Sequence, residues 1–436
     1  MSNYPAGEWV FGARSILAWL SISTIFMSGL YIHTPAGNFH YFYVVMMVAY
    51  GFLVAKNASL GLRVEVVWIV FAITIVSILG MLVTADYGFS LWRIGAMFTK
   101  IGMLSFFIVF YASIYVLCGR STVVLFFTYL KVAKFFACLG ILQQIIYFLT
   151  HVDVFSFAGG AKDYGAFLGV AGLSVEPAFY ACALLPAGAY YTSMFAKELR
   201  TTMGGSAVII AILLSTSSLG YIGLFISASI SYFMGISIKR IWAIAVTIPI
   251  CFFAASSLSG LDFFQLRWGD TIAVLKGEEL TMKGGMNIST YANAVNVTIS
   301  MTSIRDNYGA GVGFGMYSMV FDKYISQYEM PGYRDELPGR GSATSLFARL
   351  TAELGVAAWG LFAVMLYWCF LNIRKSFATA IGIAYFSTML IILLRMGEYY
   401  ANGVLLAFLM IYWLRLETVR TARRASFPQD DLKRAS

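Results

Sequence analysis

The chain has 436 residues, of which 60% are hydrophobic and only 12% charged, and a formal net charge of +9; its mean hydropathy is +0.77. A soluble domain is about 25% charged, so the composition excludes an ordinary soluble enzyme, and the lack of short alternating segments excludes a transmembrane β-barrel. In such a chain a surplus of Lys and Arg is first a topology signal, which argues against a nucleic-acid partner.

Apolar runs of about 18 residues or more can cross a hydrocarbon core about 30 Å thick. They predict an all-α polytopic membrane protein of about twelve transmembrane helices, near 13–31, 40–55, 64–84, 94–117, 123–148, 176–196, 203–216, 218–236, 240–257, 346–371, 377–395 and 399–415. The first run lacks a small-residue cleavage site with a soluble domain behind it, so it is read as a span and not as a signal peptide. Between the seventh and eighth, "STSSLGYIG" reads as a tight turn, with a single bent helix as the alternative. Lys56 and Arg63, Arg120, Lys197 and Arg200, Lys239 and Arg240, and Arg374 and Lys375 fall on alternate connections, and the tail adds Arg415, Arg420, Arg423 and Arg424. Both termini are therefore expected in the cytoplasm. The chain divides into helices 1–9 (residues 1–257), a long periplasmic loop with a few short helices (258–345), helices 10–12 (346–415) and a basic cytoplasmic tail (416–436).

Cys118, Cys138, Cys182, Cys251 and Cys369 all lie in or beside apolar runs and read as small core residues. His33, His40 and His151 lack metal-ligand spacing, so no metal is expected.

In chain order, Arg93 and Lys100 come first among the residues that could carry chemistry. Seven residues apart, they share a helix face, and ionisable groups inside a span usually face a cavity; snorkelling is the plainer explanation. Glu176 precedes Pro177 at the start of the sixth span. As a helix start, an acidic group there contributes about 0.3–1 kcal/mol; as a functional group at the membrane rim, it could orient or deprotonate a hydroxyl. The long loop carries Arg267, Arg305, Arg334 and Arg340, and Arg349 follows at the tenth span. Most surface arginines are only solvated charges, but arginine suits bidentate phosphate recognition. "YGAGVGFGMY" (308–317) lacks the strand-and-helix setting of a nucleotide fingerprint. It reads as a backbone turn that lets a loop approach a span or a ligand closely.

Taken in order, "GLSVEPAFYA", "LLSTSSLGYIG", "LRWGDTIAVL", "RDNYGAGVGFGMY" and "ATSLFARLTAELGVAAWGLF" resemble the O-antigen polymerase and ligase superfamily of bacterial polysaccharide assembly, over roughly residues 120–415. The resemblance implies a metal-independent glycosyltransferase of the bacterial inner membrane, without a cofactor, acting on its periplasmic face on glycans linked to undecaprenyl diphosphate. It implies Glu176 and Arg267 as the catalytic pair, Glu176 from the "E-P-x-F" motif and Arg267 ahead of the glycine turn. Arg305, Arg340, Arg93 and Lys100 become the expected contacts to diphosphate and glycan. A chain-length-regulating membrane protein is a further expected partner. The ligase branch carries a histidine where Thr344 stands, which favours a polymerase over a ligase that moves glycan to a lipid or protein acceptor. Relatives also carry an arginine shortly before "E-P"; here Lys162 or Arg93 would have to substitute. A transporter or flippase is the alternative of another class, although the paired broken spans expected of one are not evident. A cell-wall glycan polymerase of similar architecture is a third.

Overall fold

The computed structural model describes residues 12–34, 37–56, 64–87, 90–165, 167–198, 202–233, 288–328, 330, 337–375, 379–400 and 403–426. The ninth predicted span, 240–257, and the first part of the long loop, with Arg267, lie outside the described residues, as does Arg334.

The fold is that of an all-α membrane protein. Its helices are α1 (Ala13–Ser23), α2 (Tyr41–Ala55), α3 (Val64–Val83), α4 (Leu91–Leu117), α5 (Thr122–Thr150), α6 (Pro177–Glu198), α7 (Met203–Leu214), α8 (Ser218–Phe233), α9 (Ile288–Asp306), α10 (Tyr317–Tyr324), α11 (Leu346–Leu354), α12 (Val356–Lys375), α13 (Thr379–Arg395) and α14 (Val404–Ser426). Two small antiparallel ribbons accompany them: β1 (Tyr31–Thr34) with β2 (Gly37–His40), and β3 (Lys162–Asp163) with β4 (Leu168–Gly169).

Among the described residues, four helical segments are long and apolar enough to cross a membrane: Val64–Val83, Leu91–Leu117, Thr122–Thr150 and Val356–Ile373. Others fall short. The first predicted span, 13–31, is helical only to Ser23, with a 3-10 turn over Thr24–Phe26. At 1.5 Å per residue the 12 residues of α7 reach about 18 Å, well under a bilayer core. The turn at 215–217 separates α7 from α8, so two helices replace the alternative of one bent helix. The tenth predicted span, 346–371, is broken at Gly355, whose φ of +65° suits a helix terminus; α11 is a separate amphipathic helix and the apolar segment starts at Val356. The expected "few short helices" of the long loop include one of 19 residues, α9. It is polar by sequence yet buries Tyr291, Val295, Asn296 and Ile299, because it packs on α11.

α6 sits at the centre, packed against α8 and α13, with α5 against α7 and α12 between α13 and α14. The close α6–α8 approach depends on small residues. A Cβ at Gly220 would come within 3.3 Å of the Ala181 side chain, and one at Gly223 within 2.5 Å of Leu185. Such small-residue seams are how helices associate in lipid, where no hydrophobic force separates helix from tail. Of the cysteines described, Cys118, Cys182 and Cys369 are buried as expected, whereas Cys138 is exposed on α5.

Candidate functional site

The connection 151–175 folds back along α5. Gln143 holds it, accepting from the Gly172 amide (2.9 Å) and donating to Asp153 (2.6 Å). Tyr147 donates to Asp163 (2.6 Å). That hydrogen bond and the Gly165 amide hold the Asp163 carboxyl below its usual range. Gln143 lies seven residues before the end of α5, so Gly172 sits about 10 Å below that end. Glu176 follows four residues later, half-buried, and α6 begins at Pro177 as expected. The Val170 amide donates to Leu214 O (3.1 Å), which ties the 215–217 serine turn to the same strap. Among the described residues the Glu176 carboxylate meets no hydrogen-bond or ion-pair partner.

The glycine stretch is a tightly held turn. A Cβ on Gly80 would lie 2.2 Å from Gly311 O, and one on Gly311 2.3 Å from Glu353 O. The amides from Val312 to Tyr317 are all spent within the protein. Val312 and Gly313 donate to Ala352 O and Glu353 O, Met316 to Gly313 O, Phe314 to Ser77 Oγ, and Gly315 and Tyr317 to the Glu353 carboxylate. No amide of that run is left to cradle a phosphate, so the stretch is a structural turn, as its sequence suggested, and not an anion nest.

Two buried charges grip this turn. Arg93, in the first turn of α4, is fully buried. Its guanidinium donates to Thr84 O (3.1 Å), Thr84 Oγ1 (2.9 Å) and Val312 O (2.7 Å). Arg93 was expected to line a cavity; it instead clamps the α3–α4 corner to the glycine turn. On the other side, Glu353 accepts from Gly315 N (2.8 Å), Tyr317 N (3.3 Å), Arg349 Nε (3.2 Å) and the Tyr399 hydroxyl. Burial pushes the Glu353 carboxyl up, and the Arg349 guanidinium pulls against it. Four donors converge on it, which is the surrounding an ionised carboxylate requires.

The segment "RMGEYY" (395–400), from the last residue of α13 towards α14, completes a hub at this end of the bundle. Arg395 donates to Ser289 O (3.0 Å) and Gly397 O accepts from Arg349 (2.7 Å). Glu398 pairs with Arg349 (3.4 Å), and Tyr400 donates to Lys100 O (2.8 Å). Arg349 also lies over the Tyr399 ring at 4.0 Å. Lys100 is half-buried, and its stem crosses Gly315, where a Cβ would lie 2.5 Å from Lys100 Cγ. Lys100 thus belongs to the hub. The expected glycan arginines do not: Arg305 is 79% exposed beside Asp306, and Arg340 forms a two-pronged pair with Asp322 at 2.7 Å on the surface. Thr344, with φ +56°, donates to Asn293 (2.9 Å).

Below the hub runs an apolar groove of about 150 Å³ between α3, α4, α11, α12 and α14. Phe314, Leu354 and Tyr399 line it at the hub, and Ile73, Met365 and Phe408 are among the residues further along.

Sequence reasoning missed Glu353, Glu398 and the two tyrosines. The one available signal was a Glu-Tyr-Tyr run directly after an apolar span. The fold and hub define a helical membrane protein with a charged cluster beside an apolar groove. No protein-family model and no curated protein matches the chain.

Proposed function

We propose that the protein is a polysaccharide polymerase of the bacterial inner membrane, moving a growing glycan from undecaprenyl diphosphate to a lipid-linked repeat unit on the periplasmic face. The observation that carries this reading is the charged hub of Lys100, Arg349, Glu353 and Glu398 at the head of an apolar groove. A lipid-borne substrate suits this pairing: its hydrocarbon suits the groove, and Lys100, whose ammonium has no described partner, is the hub's cation for an anionic head. The order of motifs across 120–415 supports the same class.

The chemistry asks little of the protein. A diphosphate is already a good leaving group, and charge gathers on it as the anomeric bond breaks. Cations placed in advance stabilise that charge more in the transition state than in the ground state. Lys100 and the sequence-predicted Arg267 are the cations for this role, and Glu176, half-buried and without a described partner, is a carboxylate available to a sugar hydroxyl. Arg93 acts indirectly, through the turn it clamps. Anchoring both substrates in the membrane supplies much of the proximity.

Threonine at position 344 in place of histidine favours polymerase over ligase. Deleting the gene distinguishes them: a polymerase mutant keeps single-repeat surface glycan and loses long polymer, whereas a mutant that loses single repeats as well points to a ligase.

A further inference from the structure

The carboxylates at the hub are not equivalent. Glu353 has no exposed surface and four donors around it, so it cannot reach a substrate. Glu398 is 41% exposed, and its one described partner is Arg349, at a long 3.4 Å to Oε2. Its Oε1 has no described partner. Arg349 cannot leave to follow it, being 6% exposed and tied to Glu353, to Gly397 O and to the face of Tyr399. One buried cation is therefore shared between a closed carboxylate and an open one. Tyr400 ties this segment to α4, its hydroxyl donating to Lys100 O.

We infer that Glu398 is the carboxylate that meets the acceptor sugar's hydroxyl, with Arg349 as its positioning residue, an inference that rests on the polymerase reading. The acceptor O–H proton passes to Glu398 Oε1 as the oxygen's electron pair forms the bond to the donor's anomeric carbon. The anomeric C–O bond to the diphosphate breaks, and its electrons leave on the diphosphate oxygen. Glu398 then gives the proton to water. Glu176, at the start of α6, is left to bind and orient sugar.

The test uses the full chain in vesicles with a fluorescent, diphosphate-linked repeat unit on a polyprenyl carrier. E398Q should bind the lipid within twofold of the parent yet elongate on the order of a hundredfold more slowly, the size of a lost general base. E398A should regain activity with added formate, which a purely structural role would not allow; this arm also serves if E398Q is poorly folded. Elongation by E398Q within threefold of the parent, or no formate rescue of a folded E398A, overturns the assignment and leaves the polymerase reading standing. A parent chain that binds the lipid but makes no polymer sinks the polymerase reading, and this inference with it.

Discussion

Glu353 carries more of the structure than any other charged side chain described. Its carboxylate joins α11 to the glycine turn and to Tyr399 at once. Removing one partner of a buried pair leaves an uncompensated charge and costs about 3–5 kcal/mol. Glu353→Ala should strand Arg349 and the amides of Gly315 and Tyr317. The expected outcome is a sharp fall in membrane abundance and in the detergent melting temperature, while Arg340→Ala, on the surface, leaves both unchanged. Arg267 makes a different kind of prediction. If it grips a diphosphate, its planar fork matters as well as its charge. Arg267→Ala should abolish polymer and Arg267→Lys should leave only a small residue of activity, at normal protein level on an immunoblot. Full-length polymer from Arg267→Lys would reduce Arg267 to an electrostatic guide.

At the scale of elements, the strap 151–175 shows how a loop becomes part of a site. It is tied to α5 by Gln143 and Tyr147, and it leads into Glu176 at the start of α6. Because Asp163 ionises below its ordinary range, the stabilisation it provides is complete above the unfolded carboxyl value and is lost only as pH falls through the lower folded value. Hydrogen exchange of the strap should stay slow from neutral pH down to about 4, the ordinary Asp value, and quicken below it. Tyr147→Phe should move that loosening to higher pH; an unchanged profile would show that Asp163 does not hold the strap. The long apolar helices were legible in the sequence because hydropathy alone identifies them: α3, α4 and α5 lie within a few residues of expectation. The break at Gly355 was not, since an apolar run continues through it and only the turn packed there makes the break necessary. The length of α9 was not legible because its buried apolar residues, Tyr291, Val295, Ile299 and Ile304, are interleaved with Asn296, Ser300 and Ser303, so hydropathy does not mark it. Position along the chain suggested Arg93 and Lys100 as a pair, but their fates differ. The glycine turn absorbs Arg93, whereas Lys100 only rests its stem on that turn.

For the whole molecule, the proposed function rests on one combination: a charged hub at one end of a helical bundle, an apolar groove beneath it, and a sequence resemblance to a family that acts on lipid-linked glycans. The short helices α7 and α8 set the serine turn into the bundle, beside the start of α6. On the polymerase reading, acceptor and donor would meet at the hub, at the head of the groove. Purified protein reconstituted into vesicles with a lipid-linked repeat unit as the only glycan tests this directly. The account predicts a ladder of products spaced by one repeat unit, each still on the lipid carrier, with release of free polyprenyl diphosphate at each step. Repeat units that remain single, or that cross the vesicle membrane unchanged, would contradict it.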